Sequence, residues 1–273
     1  MSDQQLARVG NLDVAYDIGG SGEPVLFIHG LGSSRADWQA QAVPPSRYRV
    51  VRYDLRGHGA SARPASGYDL PTLAADAAAL LAALDLGPAH VVGLSLGGMV
   101  GLQLAVDRPD VVKSLTVVNS GPEVAPRTPR EKWLLGVRRV LTWTLGPRHL
   151  GKILARRLYV KPEHQPLARA FIEQMAKNDR HAYLATTRAI LGWSVAHRLA
   201  EIACPVLVVS GDRDYTPVAR KEEYARKLRD ATVVVIADSG HSTPLDQPQA
   251  FNRELVRFLD AHRGAPTVER ALG

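Results

Sequence analysis

Val91-Val92-Gly93-Leu94-Ser95-Leu96-Gly97-Gly98-Met99 joins a short apolar run, beginning near His90, to a helix-like segment from Met99 to Asp107. Glycines stand two residues before and two after Ser95. They let the chain reverse tightly between a strand and a helix and leave the serine hydroxyl exposed at the bend.

Upstream, Ala7 to Val9 and Asp13 to Asp17 are predicted as short strands, with Asn11 in the turn between them. Val25 to Ile28 is apolar without alternation, as suits a parallel strand covered on both faces. It runs into the glycine-rich turn His29-Gly30-Leu31-Gly32-Ser33-Ser34 and a short helix expected over 37–42. A strand over 48–53 leads to Asp54-Leu55-Arg56-Gly57-His58-Gly59-Ala60-Ser61, and the alanine-rich stretch 69–85 reads as a helix stopped by Gly87-Pro88. After the serine come a helix ending near Arg108-Pro109 and a buried strand over 114–118. This alternation predicts a mostly parallel sheet with crossover helices.

Gly121 to Glu201 breaks the rhythm. Four helical segments are predicted there (129–145, 149–158, 163–178 and 181–199), punctuated by Pro126, Pro147, Pro162 and Pro166. The expected organisation is an α/β core of residues 1–120 and 202–273, with 121–201 as a helical cap over the carboxyl edge of the sheet, where open α/β folds bind ligands. Strands over 206–209 and 232–236 and helices over 217–228 and 248–262 complete the core, with a frayed tail from Gly264.

The chain has 273 residues, 34 Lys and Arg and 27 Asp and Glu, for a net charge of +7. From Arg127 to Lys161 ten basic residues face one acid, Glu131, so this segment carries +9 and the remainder −2. A solvated helical face explains such a stretch without a partner, and no nucleic-acid motif accompanies it. No charged leader opens the chain, and no apolar run nears the roughly 18 residues of a membrane span. A cytoplasmic location is expected, and homo-oligomerisation is left open. Cys204, the single cysteine, stands just before an apolar run and is expected to be a buried thiol. The nine histidines show no metal-ligand spacing, so neither metal nor other cofactor is expected.

A serine hydroxyl needs a base, a carboxylate to orient that base, and donors for the developing oxyanion. His241, in Asp238-Ser239-Gly240-His241-Ser242, follows the last strand and can reach across the sheet edge. The acid lies in Gly211-Asp212-Arg213-Asp214; charge does not separate the two aspartates, and Asp214 is preferred as the deeper in its loop. Asn119, after the preceding strand, cannot serve as an anion. Oxyanion donors are expected at the backbone N–H groups of Leu96 and Leu31, the latter preferred over Gly32. His29 and His58 are expected to hold loops. Trp133, Leu134, Val137, Leu141, Trp143 and Trp193 are candidates for lining a substrate pocket under the cap, although apolar helical stripes are more often plain core.

Val25 to Gly32, D-x-R-G-x-G-x-S at 54–61, G-x-S-x-G at 93–97, Gly211 to Asp214 and Gly240-His241, in this order and each at a strand end, resemble the α/β-hydrolase family over nearly the whole chain. The resemblance implies an eight-stranded, mostly parallel sheet with helices on both faces. It assigns Ser95, Asp214 and His241 as nucleophile, acid and base, and settles Asp214 over Asp212. Within the family the chain is similar to small carboxylesterases and 3-oxoadipate enol-lactonases. A serine nucleophile argues against haloalkane dehalogenases and epoxide hydrolases. Ring-cleavage C–C hydrolases often carry Pro-Gly in the first glycine turn, which this chain lacks, and cofactor-free haloperoxidases or perhydrolases keep the same triad. The expected activity is hydrolysis of a small-molecule carboxylic ester; the alternatives are an enol-lactonase or C–C bond hydrolase acting on an anionic substrate, which the basic stretch would attract, or a cofactor-free haloperoxidase or perhydrolase.

Overall fold

The structure, a computed structural model, describes residues 4–124, 126, 128–159 and 161–264. Arg127 of the basic stretch and the tail expected beyond Gly264 lie outside the described residues.

The apolar runs form the strands expected of them. β1 (Gln5–Val9), β2 (Leu12–Gly20), β3 (Glu23–Ile28), β4 (Tyr48–Tyr53), β5 (Ala89–Leu94), β6 (Val112–Val118), β7 (Val206–Gly211) and β8 (Ala231–Ile236) make one sheet, ordered β1-β2-β4-β3-β5-β6-β7-β8. β1 pairs antiparallel with β2, and β2 with β4; every later pairing is parallel. All six residues of β5 are buried. Its one polar side chain, His90, lies within hydrogen-bond distance of Ser114 Oγ (2.7 Å) and Glu23 Oε2 (3.0 Å), so neither ring nitrogen is buried without a partner.

α1 (Leu70–Ala83) and α2 (Leu96–Asp107) cover one face of the sheet. α1 starts where Asp69 accepts the Thr72 N–H (2.9 Å) and Pro71 fills the first turn. Phe251, Leu255, Phe258 and Leu259 of α8 (Pro248–Ala261) cover the other face together with Trp38. The sheet is thus buried on both sides, as its unalternating strands require.

Several boundaries differ from the sequence reading. The helix expected over 37–42 is a single 3-10 turn, Arg35–Trp38, with the Trp38 ring buried against Phe27. α2 starts at Leu96 rather than Met99, and a four-residue helix, α7 (Thr243–Asp246), was not anticipated. The segments 129–145 and 149–158 belong to one element, α3 (Pro129–Leu158), broken at Gly146 (φ 71°, ψ 171°) just before Pro147. α4 (Gln165–Lys177) follows, and α5 (Arg180–Gly192) ends seven residues before the expected Leu199. Beyond Gly192 tertiary contacts win over helix propensity. The Trp193 indole N–H donates to Gln103 Oε1 (2.6 Å), the Val195 N–H donates to Pro122 O (2.9 Å), and Ser194 bridges Glu123. Cys204 packs partly buried against the core, and burial pushes its thiol up to about 12.

α3, α4 and α5 lie between β6 and β7 in the chain. Leu150, Met175 and Tyr183 from these helices form a small apolar cluster that Leu31, Leu154 and Phe171 join. Their inner surface therefore rests on the turn after β3.

Candidate active site

Ser95 sits between β5 and α2 with φ 53° and ψ −112°, a conformation that non-glycine residues rarely adopt. Its surroundings impose it. A Cβ on Gly93 would fall 2.2 Å from Gly97 O, and one on Gly97 would fall 2.0 Å from Ile28 O, so β5, α2 and the end of β3 touch backbone to backbone. The Ser95 N–H donates to Val118 O (2.9 Å), and Ser120 Oγ donates to Ser95 O (2.6 Å). Gly30 lies alongside: a Cβ there would stand 3.6 Å from Ser95 Cβ. Leu96 opens α2, where backbone N–H groups lack intrahelical acceptors, and its amide and the turn containing Leu31 thus flank the serine.

Of the two aspartates after β7, Asp214 meets the histidine. His241 Nδ1 lies 2.8 Å from Asp214 Oδ1, whereas Asp212 Oδ1 accepts the Ser239 N–H (2.9 Å) and holds the histidine loop. The Asp214 carboxylate is fully buried. Burial alone would raise its protonation range, but the charges and hydrogen bonds of His241 and Lys221 outweigh it and hold the carboxyl well below the usual range. Asn119, excluded as an anion, ties the loops together: its Nδ2 reaches Gly240 O, His241 O and Thr243 Oγ1, and its Oδ1 accepts the Gly211 N–H. Asp246 adds a bond from the Gly240 N–H (2.7 Å).

Among the described residues, the hydrogen-bond partner of His241 Nε2 is the Tyr215 hydroxyl at 3.0 Å, not Ser95 Oγ. The Tyr215 ring also lies over the imidazole, with centroids 4.3 Å apart. Sequence reading missed Tyr215 because a tyrosine in a polar loop carries no signal without the fold.

His29 and His58 do hold loops. His29 Nε2 accepts the Leu55 N–H (3.0 Å) while Nδ1 donates to Gly30 O (2.7 Å); His58 Nδ1 lies 3.0 Å from Arg56 O. Burial pushes His29 down to about 4, and burial with the neighbouring His29 pushes His58 down to about 3. The D-x-R-G-x-G-x-S stretch is likewise scaffolding. Buried Asp54 accepts the N–H groups of Arg35 (2.8 Å) and Ala60 (2.9 Å), and a Cβ on Gly59 would collide with its carboxylate.

The expected cap-pocket residues separate. Trp133, Val137 and Leu141, with Gly136 and Val140, line an open groove of about 390 Å³ on α3 that none of Ser95, Asp214 and His241 borders. Leu134 and Trp143 are not in that lining; Trp143 is 62% exposed, and Trp193 lies on the core against α2. The turn beside Ser95 is instead packed by Met175 and Tyr183 at Gly32, and the Asn178 Nδ2 donates to Gly32 O (2.7 Å). Among the described residues no group of three or more His, Cys, Asp or Glu gathers as metal ligands would, and no helix is long and apolar enough to cross a membrane.

The family model described as the alpha/beta hydrolase family matches residues 25–254. The chain is 33% identical over 268 residues, 93% of its length and 98% of the relative's, to the protein named "Putative carbamate hydrolase RutD" of Variovorax paradoxus. It is 29% identical over 240 residues, 86% and 88% of the two lengths, to 3-oxoadipate enol-lactonase 2 of Acinetobacter baylyi. The crystal structure of the enol-lactonase from Burkholderia xenovorans LB400 superposes with a TM-score of 0.86 at 25% identity, covering 94% of this chain and all of that one.

Proposed function

The chain belongs to the alpha/beta hydrolase family and is a hydrolase of the esterase and lactonase type, and within it we propose a serine enzyme that cleaves a small carboxylic ester through an acyl-enzyme. Two observations support this reading: the pairing of His241 Nδ1 with the buried Asp214 carboxylate at 2.8 Å, and a serine held at positive φ at the N-terminus of α2. With Nδ1–H committed to Asp214, Nε2 is the basic nitrogen. When substrate enters, Ser95 Oγ takes the place of the Tyr215 hydroxyl at Nε2. Ser95 attacks the acyl carbon as His241 takes its proton, and the N–H groups of Leu96 and Leu31 receive the oxyanion. Protonated His241, stabilised by Asp214, then gives that proton to the leaving alcohol. Water, deprotonated by the same nitrogen, releases the acid and frees Ser95.

Residues 121–201 act in this reading as a cap on the core formed by 1–120 and 202–273. The cap's inner residues Met175 and Tyr183, resting on the turn at Gly32, shape the acyl site. Of the other candidates, Trp133, Val137 and Leu141 line the outer groove of α3, whereas Leu134, Trp143 and Trp193 are given no substrate contact in this reading. A lactone or a carbamate, the groups named for the relatives, would follow the same steps with one change each: a lactone's alcohol would stay tethered to the acyl group, and a carbamate would form a carbamoyl-enzyme. Replacing Ser95 by Ala should lower hydrolysis of p-nitrophenyl acetate at least about a thousandfold with unchanged circular dichroism. Turnover at the wild-type rate would refute the mechanism.

A further inference from the structure

Lys221 plays no part in the chemistry above, yet its surroundings are unusual for a lysine. It lies on α6 (Val218–Ala225), a short helix whose next residue, Glu222, is exposed, while the Lys221 side chain is only 2% exposed. Its ammonium donates to Asp214 Oδ2 (2.5 Å), Thr216 O (2.8 Å) and Thr216 Oγ1 (2.8 Å). Three N–H groups meet three acceptors, which is the full capacity of the charged form. Thr216 Oγ1 in turn donates to Asp214 Oδ2 (2.5 Å). Asp214 therefore uses one oxygen for His241 and the other for Lys221 and Thr216, giving a buried row of cation, carboxylate and base.

Burying an ammonium is costly, and the Thr216 hydroxyl alone could steady the carboxylate. What a hydroxyl cannot supply is charge. We propose that Lys221 is a positioning residue that fixes Asp214 and, by offsetting its charge, keeps His241 able to accept a proton at lower pH than an unopposed carboxylate would allow. An anion beside an imidazole favours the protonated ring, and a cation behind that anion opposes it. Burial disfavours the ammonium most strongly, and the opposing pull of Asp214 offsets part of that effect. Other groups face the same pair. The Tyr215 hydroxyl is at His241 Nε2, and buried Tyr224 shares α6. The Asp246 carboxylate accepts the Gly240 N–H and acts in the opposite sense to Lys221. Asp212 is bonded to Ser239 N, and Asp238 is paired with Lys161 and Arg213.

This inference rests on the serine-hydrolase reading and is tested by the pH dependence of kcat/KM, from about pH 5 to about pH 9, for wild type, Lys221→Gln, Lys221→Met and Thr216→Val. The acid limb should move up by roughly one pH unit in both Lys221 variants. Thr216→Val, which loses a bond to Asp214 but keeps the charge, should lose activity with the limb in place. A lowered plateau with an unmoved limb in Lys221→Gln would make Lys221 merely structural and overturn the proposal. Should both Lys221 variants fail to fold, nitrogen NMR of the wild-type protein decides: a charged Lys221 ammonium at about pH 8 supports the proposal, and a neutral amine overturns it. Full activity in Ser95→Ala would sink the underlying reading. An inactive Ser95→Ala together with an unmoved Lys221→Gln limb would sink this inference alone.

Discussion

Gly97 at the serine turn and Gly136 on α3 meet opposite surroundings. A Cβ at Gly97 would lie 2.0 Å from Ile28 O, whereas one at Gly136 would meet nothing within 4 Å. The same contrast runs through both regions. Around the serine the loops are pinned to each other by Asn119, Ser120, Asp212 and Asp246, whose polar groups reach backbone atoms of the neighbouring loops. On α3, Trp133 and Trp143 are 65% and 62% exposed. The serine turn is held by backbone contacts that leave little room for variation, whereas the outer face of α3 can change side chain by side chain.

Substitution at Gly97 should break this contrast most severely. Gly97→Ala forces β3 and α2 apart and should destabilise the protein by about 3 kcal/mol or more, with loss of esterase activity, measured by urea unfolding and p-nitrophenyl ester turnover. Acid should come next, because His29 and His58 beneath the site are buried as neutral rings. Both folded values lie below the ordinary one, so between about 6.5 and about 4 the unfolded chain binds protons that the folded chain does not. Stability should therefore fall as pH drops through that window, by up to roughly 3 kcal/mol per histidine, read from urea midpoints at successive pH values. His29→Asn should flatten part of the slope. On α3, Trp133→Ala should change stability by no more than about 0.5 kcal/mol. If the groove meets substrate, its KM for longer acyl chains should rise while kcat for acetate stays in place. At the same groove Gly136→Ala should stabilise slightly, by up to about 1 kcal/mol, because the position is helical and open.

The contrast also explains how much could be read from the sequence. The strands around Ser95 are continuous apolar runs, and the turn glycines are demanded by backbone contact, so residue type and spacing reveal them. Asp214 and Asp212 look alike in the chain, and only the fold shows one meeting His241 and the other capping its loop. Asp54 to Ser61 stands in the family pattern, and its bonds hold a turn together. Lys221 and Tyr215 were illegible: the first lies among charged neighbours on a short amphipathic helix, the second in a polar loop. The end of α5 was misplaced because Trp193 and Val195 leave the helix for contacts with residues far away in the chain. Cap-pocket membership depends on how α3 turns its stripe relative to the sheet edge, and helical periodicity does not specify that orientation.

In this mechanism Ser95 is the one serine activated for acyl transfer. Labelling with a fluorophosphonate, followed by peptide mass spectrometry, tests it most directly. A single adduct is expected on the peptide containing Ser95, abolished in His241→Ala and protected by a competing ester. An unlabelled Ser95, or an adduct that persists in His241→Ala at the wild-type rate, would contradict it.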